Sequence, residues 1–301
     1  MRAARLCLIF QSCQALEAAG NRRNRLCGRF IIERALAAGY EVTCLSRSKP
    51  KWPERVVVWR KFELGETITD LPAADALIHC AFDHIKGKYR GGEGDDPEGF
   101  MRRNYEGSLA LFAAAGRVGV QRIVFLSSRA VYDGISIGTR LTEDMRLAPI
   151  SLYGQMKYQL EQALRSLEGV VSTSLRSTGL YGATQSGDYH KWEELFAQFE
   201  AGEAIDTRCG SEVHGDDLAA AVELCLKAPA HKVDKRVFNV SDIMLDRHDL
   251  LTAYGTLRGL NLAAPPRSES RPNEMDCTRL CALGWSPRGQ AGLNAFLKGL
   301  P

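Results

Sequence analysis

The hexapeptide IVFLSS at residues 123–128 decides the fold class of this chain. Its first four residues are all apolar, which is typical of a strand that is covered on both faces. Helical patterns lie on either side of it, over residues 100–118 and from residue 153 to about residue 167. A buried strand between two such helices predicts right-handed β-α-β crossovers and therefore a parallel sheet.

The same alternation extends along most of the chain. Further strands are predicted at residues 6–10, 41–45, 55–59, 76–81, 170–175 and 236–240. Further helices are predicted at residues 14–19, from Gly28 to Gly39, at residues 191–201 and at residues 218–227, the last with Asp216 as its N-cap. We predict a doubly wound, Rossmann-like α/β fold. Its core would comprise residues 1–180, with residues 213–240 returning to it, and residues 181–301 would form a smaller C-terminal lobe.

Composition excludes several classes of protein. The net charge of +3 is too balanced for a nucleic-acid partner or an anionic membrane, and apolar runs of strand length predict no membrane span. The nine cysteines are scattered without a C-x-x-C pair, so we expect neither disulfides nor a metal site. Polar Gln11 and Ser12 end the first apolar run too early for a secretory signal. A cytoplasmic protein with free thiols is expected.

Tyr153 and Lys157 are the first candidates for chemistry. They lie four residues apart on a predicted helix and therefore share one face. A phenol beside an ammonium can act as a general acid/base, because the positive charge favours tyrosinate and lowers the pKa of the phenol. An isolated Y-x-x-x-K is more often an ordinary surface pair. Ser128 lies 25 residues upstream at the end of a strand, where a hydroxyl can also simply satisfy local backbone.

Other short motifs follow in order from Gly28 almost to the end of the chain. They are GYEV at 39–42, IHCA at 78–81, N-x-x-G at 104–107, LSSRAVY at 126–132, RSTGLYG at 176–182, VHGDDLA at 213–219, FNV at 238–240 and LGW-x-P at 283–287. In this order and spacing, with Y-x-x-x-K at 153–157, the chain resembles the extended short-chain dehydrogenase/reductase family, in its NAD-dependent nucleotide-sugar epimerase and dehydratase group.

This resemblance implies a catalytic triad of Ser128, Tyr153 and Lys157, with Ser127 as the competing serine. Tyr153 would move a proton on or off the substrate oxygen while hydride passes between a carbinol carbon and a nicotinamide. Lys157 would hold the nicotinamide ribose and keep the pKa of the phenol low. Ser128 would orient the substrate oxygen. Residues 1–180 would then bind the dinucleotide, and residues 181–301 would mainly bind the substrate.

The resemblance also implies a cofactor and the residues that hold it. Arg47 follows the second strand, where an acidic residue would select NAD. An arginine beside Ser46 could instead accept a 2′-phosphate, which favours NADP over NAD, or it could be an ordinary loop arginine. The residues implied for cofactor binding are Gly28, Ser46, Arg47, Ala81, Tyr153, Lys157, Thr178 and Phe82, the last at a position where a small residue is usual. Those implied for the substrate are Arg129, Tyr181 and His190, each of which is otherwise a packed or solvated side chain.

One segment departs from the family pattern. Gly28 matches the third glycine of a G-x-x-G-x-x-G turn, but Arg22 and Arg25 occupy the other two positions. Side chains there would obstruct the close approach of backbone to a pyrophosphate. Three explanations remain open. In the first, Arg22, Arg23 or Arg25 replaces backbone amides as a phosphate partner. In the second, cofactor binding is lost, and in the third, residues 11–27 derive from a shifted reading frame.

The expected function is that of an NAD(P)-dependent oxidoreductase or epimerase acting on a hydroxyl or carbonyl of a small, sugar-nucleotide-like substrate. Arg47 favours reduction by NADPH over epimerisation. Arg129 stands where a dehydratase usually carries an acidic residue, so dehydration is least favoured. The alternative is a non-catalytic relative that serves as a structural or assembly subunit with weakened cofactor binding. By analogy with the family, the helices at 100–118 and 153–167 would pair two copies in a homodimer.

Overall fold

The computed structural model of the protein describes residues 3–9, 23–49, 52, 56–68, 70–85, 91–183 and 190–301. The strands within these residues are β1 (Arg5–Ile9), β2 (Glu41–Ser46), β3 (Val57–Lys61), β4 (Ala76–His79), β5 (Arg122–Ser128), β6 (Val171–Ser177), β7 (Gly179–Tyr181), β8 (Cys209–His214), β9 (Arg236–Val240) and β10 (Ile243–Asp246). The helices are α1 (Arg23–Ala37), α2 (Pro97–Met101), α3 (Gly107–Arg117), α4 (Leu152–Arg165), α5 (Glu193–Glu200), α6 (Gly215–Lys227), α7 (Ala230–Val233), α8 (Arg247–Arg258), α9 (Thr278–Cys281) and α10 (Gly289–Lys298).

Seven strands form one parallel sheet in the order β3-β2-β1-β4-β5-β6-β9. Strand β1 pairs with β2 on one side, where Leu6 lies opposite Val42, and with β4 on the other, where Leu6 lies opposite Ala76. The strand order therefore reverses at β1, and the crevice between β1 and β4 is the switch point of a doubly wound sheet. Ligands of such sheets bind there, beyond the carboxyl ends of the strands. The predicted fold class is confirmed.

Two layers of helices cover the faces of this sheet. Helices α1 and α6 pack on one face in a cluster that includes Phe30, and α3 and α4 pack on the other in a cluster that includes Leu111. Neighbouring residues of β5 point to opposite faces, so Val124 enters the first cluster and Phe125 the second. Both are fully buried, which explains why this strand is apolar at successive positions.

A smaller lobe is built on a second sheet of three strands, in the order β10-β8-β7. Strands β8 and β10 are antiparallel, whereas β7 and β8 are parallel. Its core is an aromatic cluster with Phe196 of α5 stacked on Tyr254 of α8 at 3.9 Å between ring centroids, and with Phe296 of α10 nearby. The chain returns to the large sheet as β9. The predicted boundary at residue 180 falls inside β7, and the roles predicted for the two lobes stay predictions.

Two predicted helix starts are wrong. Helix α1 begins at Arg23 rather than at Gly28, so a basic segment that resembles a turn belongs to the helix. Helix α6 begins at Gly215 and its N-cap is His214, whose Nδ1 accepts a hydrogen bond of 3.1 Å from the backbone N–H of Asp216. Asp216 instead lies in the first turn, where its negative charge interacts favourably with the positive end of the helix dipole. The predicted helix at 14–19 lies outside the described residues.

The described residues also bear on three predicted absences. None of their helices combines the length and the apolarity that crossing a membrane requires. Within the same ranges, no group of three or more His, Cys, Asp or Glu side chains is placed to hold a metal ion. The eight cysteines that the structure describes are free thiols.

Candidate active site

A cavity of about 630 Å³ opens at the carboxyl ends of β5 and β6, beside the switch point of the sheet. Helix α1 lines it through Cys27, and the smaller lobe lines it through Arg208. Ser128, Tyr153 and Lys157 all line the same cavity. The structure therefore brings together the three side chains that the sequence predicted to act together.

The start of α4 determines where Tyr153 lies. The Ser151 hydroxyl caps the helix by accepting a hydrogen bond of 3.1 Å from the Gly154 N–H, and it donates one of 2.6 Å to Asp133. A Cβ atom on Gly154 would lie 2.4 Å from the carbonyl oxygen of Ala130, so glycine is required for this close approach. Helix α4 consequently packs directly on the 3-10 turn that follows β5, and Tyr153 comes beside the end of that strand.

Lys157 lies one turn further along α4, with only 4% of its surface exposed. Its Nζ donates a hydrogen bond of 2.8 Å to the carbonyl of Leu126 and lies 4.6 Å from the centre of the Phe125 ring and 5.9 Å from that of Tyr153. Burial disfavours the ammonium form and lowers the pKa of Lys157 to about 8, although Glu161 opposes this shift. At neutral pH the cavity therefore contains a fixed positive charge next to Tyr153.

The two candidate serines have different partners. The Ser127 hydroxyl is buried and donates a hydrogen bond of 2.5 Å to Glu161. The Ser128 hydroxyl accepts one of 3.1 Å from the Ala130 N–H, which is the local backbone role expected at a strand end. Because the carboxylate of Glu161 holds Ser127, the geometry favours Ser128 as the serine that meets a ligand. Its catalytic role stays a prediction.

A buried polar network below the cavity was not predicted. Arg176 donates to both carboxylate oxygens of Glu161, at 2.6 and 3.0 Å, and to the Tyr132 hydroxyl at 2.8 Å. Tyr132 in turn donates to Asn239 at 2.7 Å, and the Asn239 N–H donates to Glu143 at 3.0 Å. These bonds join α4, β6 and β9. The sequence contains one signal for this network. Glu161 follows Lys157 by one helical turn, at a position that the apolar periodicity of the helix predicts to be buried.

The residues predicted to read a 2′-phosphate are engaged by protein groups. The Ser46 hydroxyl is fully buried and donates a hydrogen bond of 2.8 Å to the Ser48 carbonyl. An Nη atom of Arg47 lies 3.4 Å from Asp83 and 3.5 Å from Glu63. Two carboxylates therefore offset the charge of Arg47. That Ser46 and Arg47 hold the cofactor stays a prediction.

Asn104 fixes the segment that follows β4. Its side-chain amide accepts a hydrogen bond of 2.7 Å from the Asp83 N–H and donates to the carbonyls of Asp83 and Phe100, at 2.8 and 3.0 Å. A π-helical turn over Arg102–Glu106, between α2 and α3, places this buried asparagine against the segment. Asn104 thereby anchors one wall of the cavity.

The other predicted cofactor residues have different environments. Phe82 lines the cavity, and its ring centroid lies 4.6 Å from that of Tyr153. Thr178 also lines the cavity. Ala81 is buried beside them, and Gly28 is buried within α1. Phe82 therefore adds a large ring beside the predicted acid/base, at a position where the family usually has a small residue.

The predicted substrate residues separate into two groups. Arg129 lines the cavity and donates a hydrogen bond of 3.0 Å to the Asn273 carbonyl. Tyr181 is fully buried in the smaller lobe, where its hydroxyl donates to Asp242 at 3.3 Å and burial raises its pKa. His190 packs at the edge of the same aromatic cluster, and burial lowers its pKa to about 4. Arg129 thus lines the cavity. The substrate roles of all three residues stay predictions.

Sequence reasoning missed several residues at the cavity. Cys27, Cys80, Lys191 and Arg208 line it, and a pocket of about 170 Å³ adjoins it through Lys191 and Arg208. Arg247 lines that smaller pocket too. These side chains come from α1, from the end of β4 and from the smaller lobe. Only the tertiary fold brings them together.

The altered glycine turn lies mostly outside the described residues. Strand β1 ends at Ile9, and α1 begins at Arg23. Arg22 belongs to residues 10–22, and the side chain of Arg25 is also outside the described set. The predictions about these arginines therefore stay predictions. The pairing of β1 between β2 and β4 nevertheless identifies it as the strand that leads toward this turn.

A doubly wound parallel sheet with a cavity at its switch point is the architecture of Rossmann-type nucleotide-binding enzymes. The sequence model of the NAD dependent epimerase/dehydratase family matches residues 24–241. This chain belongs to the NAD dependent epimerase/dehydratase family. The predicted resemblance and the predicted class, an NAD-dependent enzyme of this kind, are confirmed.

Individual relatives agree with this assignment. The chain is 32% identical over 145 residues to UDP-glucose 4-epimerase of Rhizobium leguminosarum bv. trifolii, a match that covers 46% of this chain but only 44% of that protein. It is 29% identical over 269 residues to UDP-glucose 4-epimerase of Rhizobium meliloti (strain 1021), covering 78% of this chain and 81% of that protein. The fold is similar to UDP-glucose-4-epimerase from Stenotrophomonas maltophila with bound NAD and formylated UDP-arabinopyranose, at a TM-score of 0.73 and 19% identity over 98% and 97% of the two chains.

Proposed function

We propose that this protein is an NAD-dependent epimerase that inverts a hydroxyl-bearing carbon of a nucleotide-linked sugar. The observation that carries the proposal is that Ser128, Tyr153 and Lys157 line one cavity at the switch point of the sheet. Two curated relatives are UDP-glucose 4-epimerases, which supports the same substrate class. Epimerisation returns the substrate to its original oxidation state, so the reaction needs no external reductant.

The three residues would divide the chemistry. Tyr153 would take the proton of the substrate hydroxyl and later return it. The ammonium of Lys157, 5.9 Å from the Tyr153 ring, would stabilise the tyrosinate and hold the nicotinamide ribose. Ser128 would orient the reacting oxygen. When bound, NAD supplies the carbon that accepts and returns the hydride.

The residues around the cavity fit this cofactor. The volume of about 630 Å³ is that of a small-molecule site, and Ser128, Thr178 and Lys157 supply polar groups along it. We propose NAD rather than NADP, which reverses the preference predicted from Arg47 alone. Asp83 and Glu63 lie against that arginine, and their negative charges would repel a 2′-phosphate. The Stenotrophomonas structure also contains NAD.

The smaller pocket supports a nucleotide-linked substrate. It adjoins the main cavity and contains Lys191, Arg208 and Arg247 within about 170 Å³. Glu194 and Glu212 also line this pocket, and Glu212 pairs with Lys191. Arg208 and Arg247 are therefore the basic side chains that suit the oxygens of a diphosphate. A sugar nucleotide would then extend from this pocket to Tyr153.

A second candidate function is that of a non-catalytic structural or assembly subunit. Arg22 and Arg25 at two glycine positions favour it, because their side chains would crowd a bound pyrophosphate. The ring of Phe82 beside Tyr153 also favours it, since it reduces the space for a nicotinamide. Both observations concern cofactor affinity, so cofactor binding separates the two candidates.

The test titrates NAD and NADPH into the purified protein by calorimetry and follows interconversion of UDP-glucose and UDP-galactose by NMR. We expect NAD to bind and Tyr153→Phe to abolish turnover while NAD affinity stays within about twofold. Tyr158→Phe, on the same helix but packed away from the cavity, is the matched control and should retain turnover. Failure of NAD to bind at millimolar concentration would support the subunit and reject the epimerase.

We further propose a homodimer through α3 and α4, by analogy with the family. These helices lie side by side on one face of the sheet, so together they can offer one surface to a second copy. Light scattering of the purified protein tests this directly. A molar mass of one chain at micromolar concentration would reject the dimer.

A further inference from the structure

Two thiols meet at the edge of the cavity. Cys27 lies on α1 directly before Gly28, and Cys80 directly follows β4. Both side chains line the cavity, and both are partly exposed free thiols. Their side chains are in hydrogen-bonding contact. The pair therefore joins the two elements that flank the switch point.

A second pair of cysteines shows what distinguishes this one. Cys7 on β1 and Cys44 on β2 are close enough for the charge of one to affect the other, but neither is exposed at all. Burial raises the pKa of Cys7 to about 12 and that of Cys44 to about 11. These thiols can neither ionise at neutral pH nor meet a reagent. Cys27 and Cys80 differ because they open onto a cavity that admits small molecules.

The surroundings of Cys80 act on the ionisation of its thiol in two directions. Protein around Cys80 raises the pKa of its thiol well above the ordinary value. The positive charge of Lys157 opposes that rise, because it stabilises a thiolate. Burial has the larger effect, so the Cys80 thiol is mostly protonated at neutral pH, and the ammonium of Lys157 increases the small thiolate fraction that exchange with a disulfide requires.

We propose that Cys27 and Cys80 form a reversible disulfide that closes the cavity at the end where α1 and β4 flank the switch point. The oxidant is a small-molecule disulfide such as oxidised glutathione. The Cys27 thiolate attacks one sulfur of that disulfide and releases one glutathione thiolate. The Cys80 thiolate then attacks the Cys27 sulfur and releases the second glutathione. The two cysteine protons pass to the two released thiolates, so the protein loses two electrons and the glutathione disulfide gains them.

The bond would act on cofactor binding, and this part of the inference rests on the proposed function. Forming it brings the two sulfurs to about 2 Å and ties the start of α1 to the end of β4. A dinucleotide at the switch point would pass over this junction. Bound NAD and the disulfide would therefore each disfavour the other. By linkage, NAD protects the thiols to the same extent that the disulfide weakens NAD binding.

The experiment equilibrates the full-length protein in glutathione buffers of increasing oxidised fraction and maps peptides by mass spectrometry without reduction. We expect a cross-linked peptide that contains Cys27 and Cys80, and saturating NAD should raise about tenfold the concentration of oxidised glutathione that forms half of it at a fixed concentration of reduced glutathione. The oxidised protein should bind NAD about tenfold more weakly by calorimetry, and dithiothreitol should restore the affinity. In Cys80→Ala, Cys27 should stop at the mixed disulfide with glutathione.

Two controls make the result specific. Cys281→Ala removes an exposed thiol remote from the cavity lining and should leave the cross-link unchanged. Cys13→Ala removes a cysteine outside the described residues, and the cross-link should persist in this variant as well. A Cys13–Cys27 peptide, or glutathione adducts without a Cys27–Cys80 peptide, would overturn the inference. NAD that binds but gives no protection would overturn the coupling to the cofactor.

The same samples separate failure of this inference from failure of the proposed function. If the reduced protein binds no NAD, the epimerase proposal fails at that titration. The peptide map still decides whether the disulfide forms, because it requires neither cofactor nor turnover.

Discussion

Lys157 and Arg176 are two buried cations beneath the same end of the sheet, and they are held in different ways. Arg176 is paired with Glu161 and Tyr132, and these partners raise the pKa of its guanidinium despite burial. Lys157 donates to the carbonyl of Leu126, and in the described residues no carboxylate forms an ion pair with it. Burial lowers the pKa of Lys157 to about 8. A fully paired charge stabilises the fold, whereas a charge held by one carbonyl beside a cavity is available to a ligand.

The largest expected effect on stability comes from breaking the paired charge. Glu161→Ala leaves Arg176 buried without its carboxylate and should lower the free energy of unfolding by about 3–5 kcal/mol, measured by urea denaturation. Glu168→Ala removes a carboxylate that is 86% exposed and pairs with Lys235, so it should cost less than about 1 kcal/mol. Equal losses in the two variants would contradict the distinction between buried and exposed pairs.

Removing the other cation should separate activity from stability. Lys157→Met is expected to lower turnover about 10²–10⁴-fold, because Tyr153 loses the charge that stabilises its ionised form. The free energy of unfolding should stay equal or rise, since a desolvated ammonium is removed. Lys227→Met, at a side chain that is 57% exposed, is the control for loss of a lysine charge. A loss of stability comparable to that of Glu161→Ala would make Lys157 a structural residue.

The pKa of Lys157 also predicts how turnover and stability depend on pH. Its folded-state pKa of about 8 lies below the ordinary value of 10.5, so the ammonium is lost as pH rises through about 8. Turnover should therefore fall above pH 8, by about tenfold per pH unit. Between pH 8 and 10.5 the unfolded chain binds more protons at this group, so its contribution to stability should rise with pH. A turnover profile that is flat from pH 7 to 10 would exclude a role for the Lys157 charge.

The smallest expected effect on the free energy of unfolding comes from Arg47, a cation that is less buried than Lys157 and Arg176. The side chain of Arg47 is 12% exposed and faces Asp83 and Glu63. Arg47→Ala should lower the free energy of unfolding by about 1 kcal/mol and should leave the ratio of NADPH to NADH affinity within about twofold. A selective loss of NADPH affinity of tenfold or more would show that Arg47 reads a 2′-phosphate. Arg60→Ala, in an exposed pair with Asp70, is the matched control.

Short-range patterns predicted most of the fold but misplaced some of its boundaries. Apolar runs such as residues 123–126 identified buried strands, because a strand between two helix layers must be apolar on both faces. The N-cap of α6 is His214. Asp216 was misread as the cap, because aspartate is a common N-cap residue and a histidine in that role has no distinctive pattern.

The candidate site was predictable to the extent that its residues lie close together in sequence. Tyr153 and Lys157 are one helical turn apart, so periodicity alone placed them on one face. The pairs Arg176–Glu161 and Cys27–Cys80 join separate elements, and no local pattern relates their members. The smaller pocket is likewise assembled from α5, β8 and α8, which pack together only in the folded lobe.

The sequence by itself determined the doubly wound sheet, the family, and the Tyr153–Lys157 pair, because these depend on hydrophobic period and on the spacing of residues along one element. The tertiary structure decided which serine is bonded to Glu161, which carboxylates lie against Arg47, and which of the two buried cations, Lys157 or Arg176, has an ion pair among the described residues. These properties depend on burial and on contacts between distant segments. The free energy of a buried charge is set by the partners that the fold supplies, and those partners are not its neighbours in sequence.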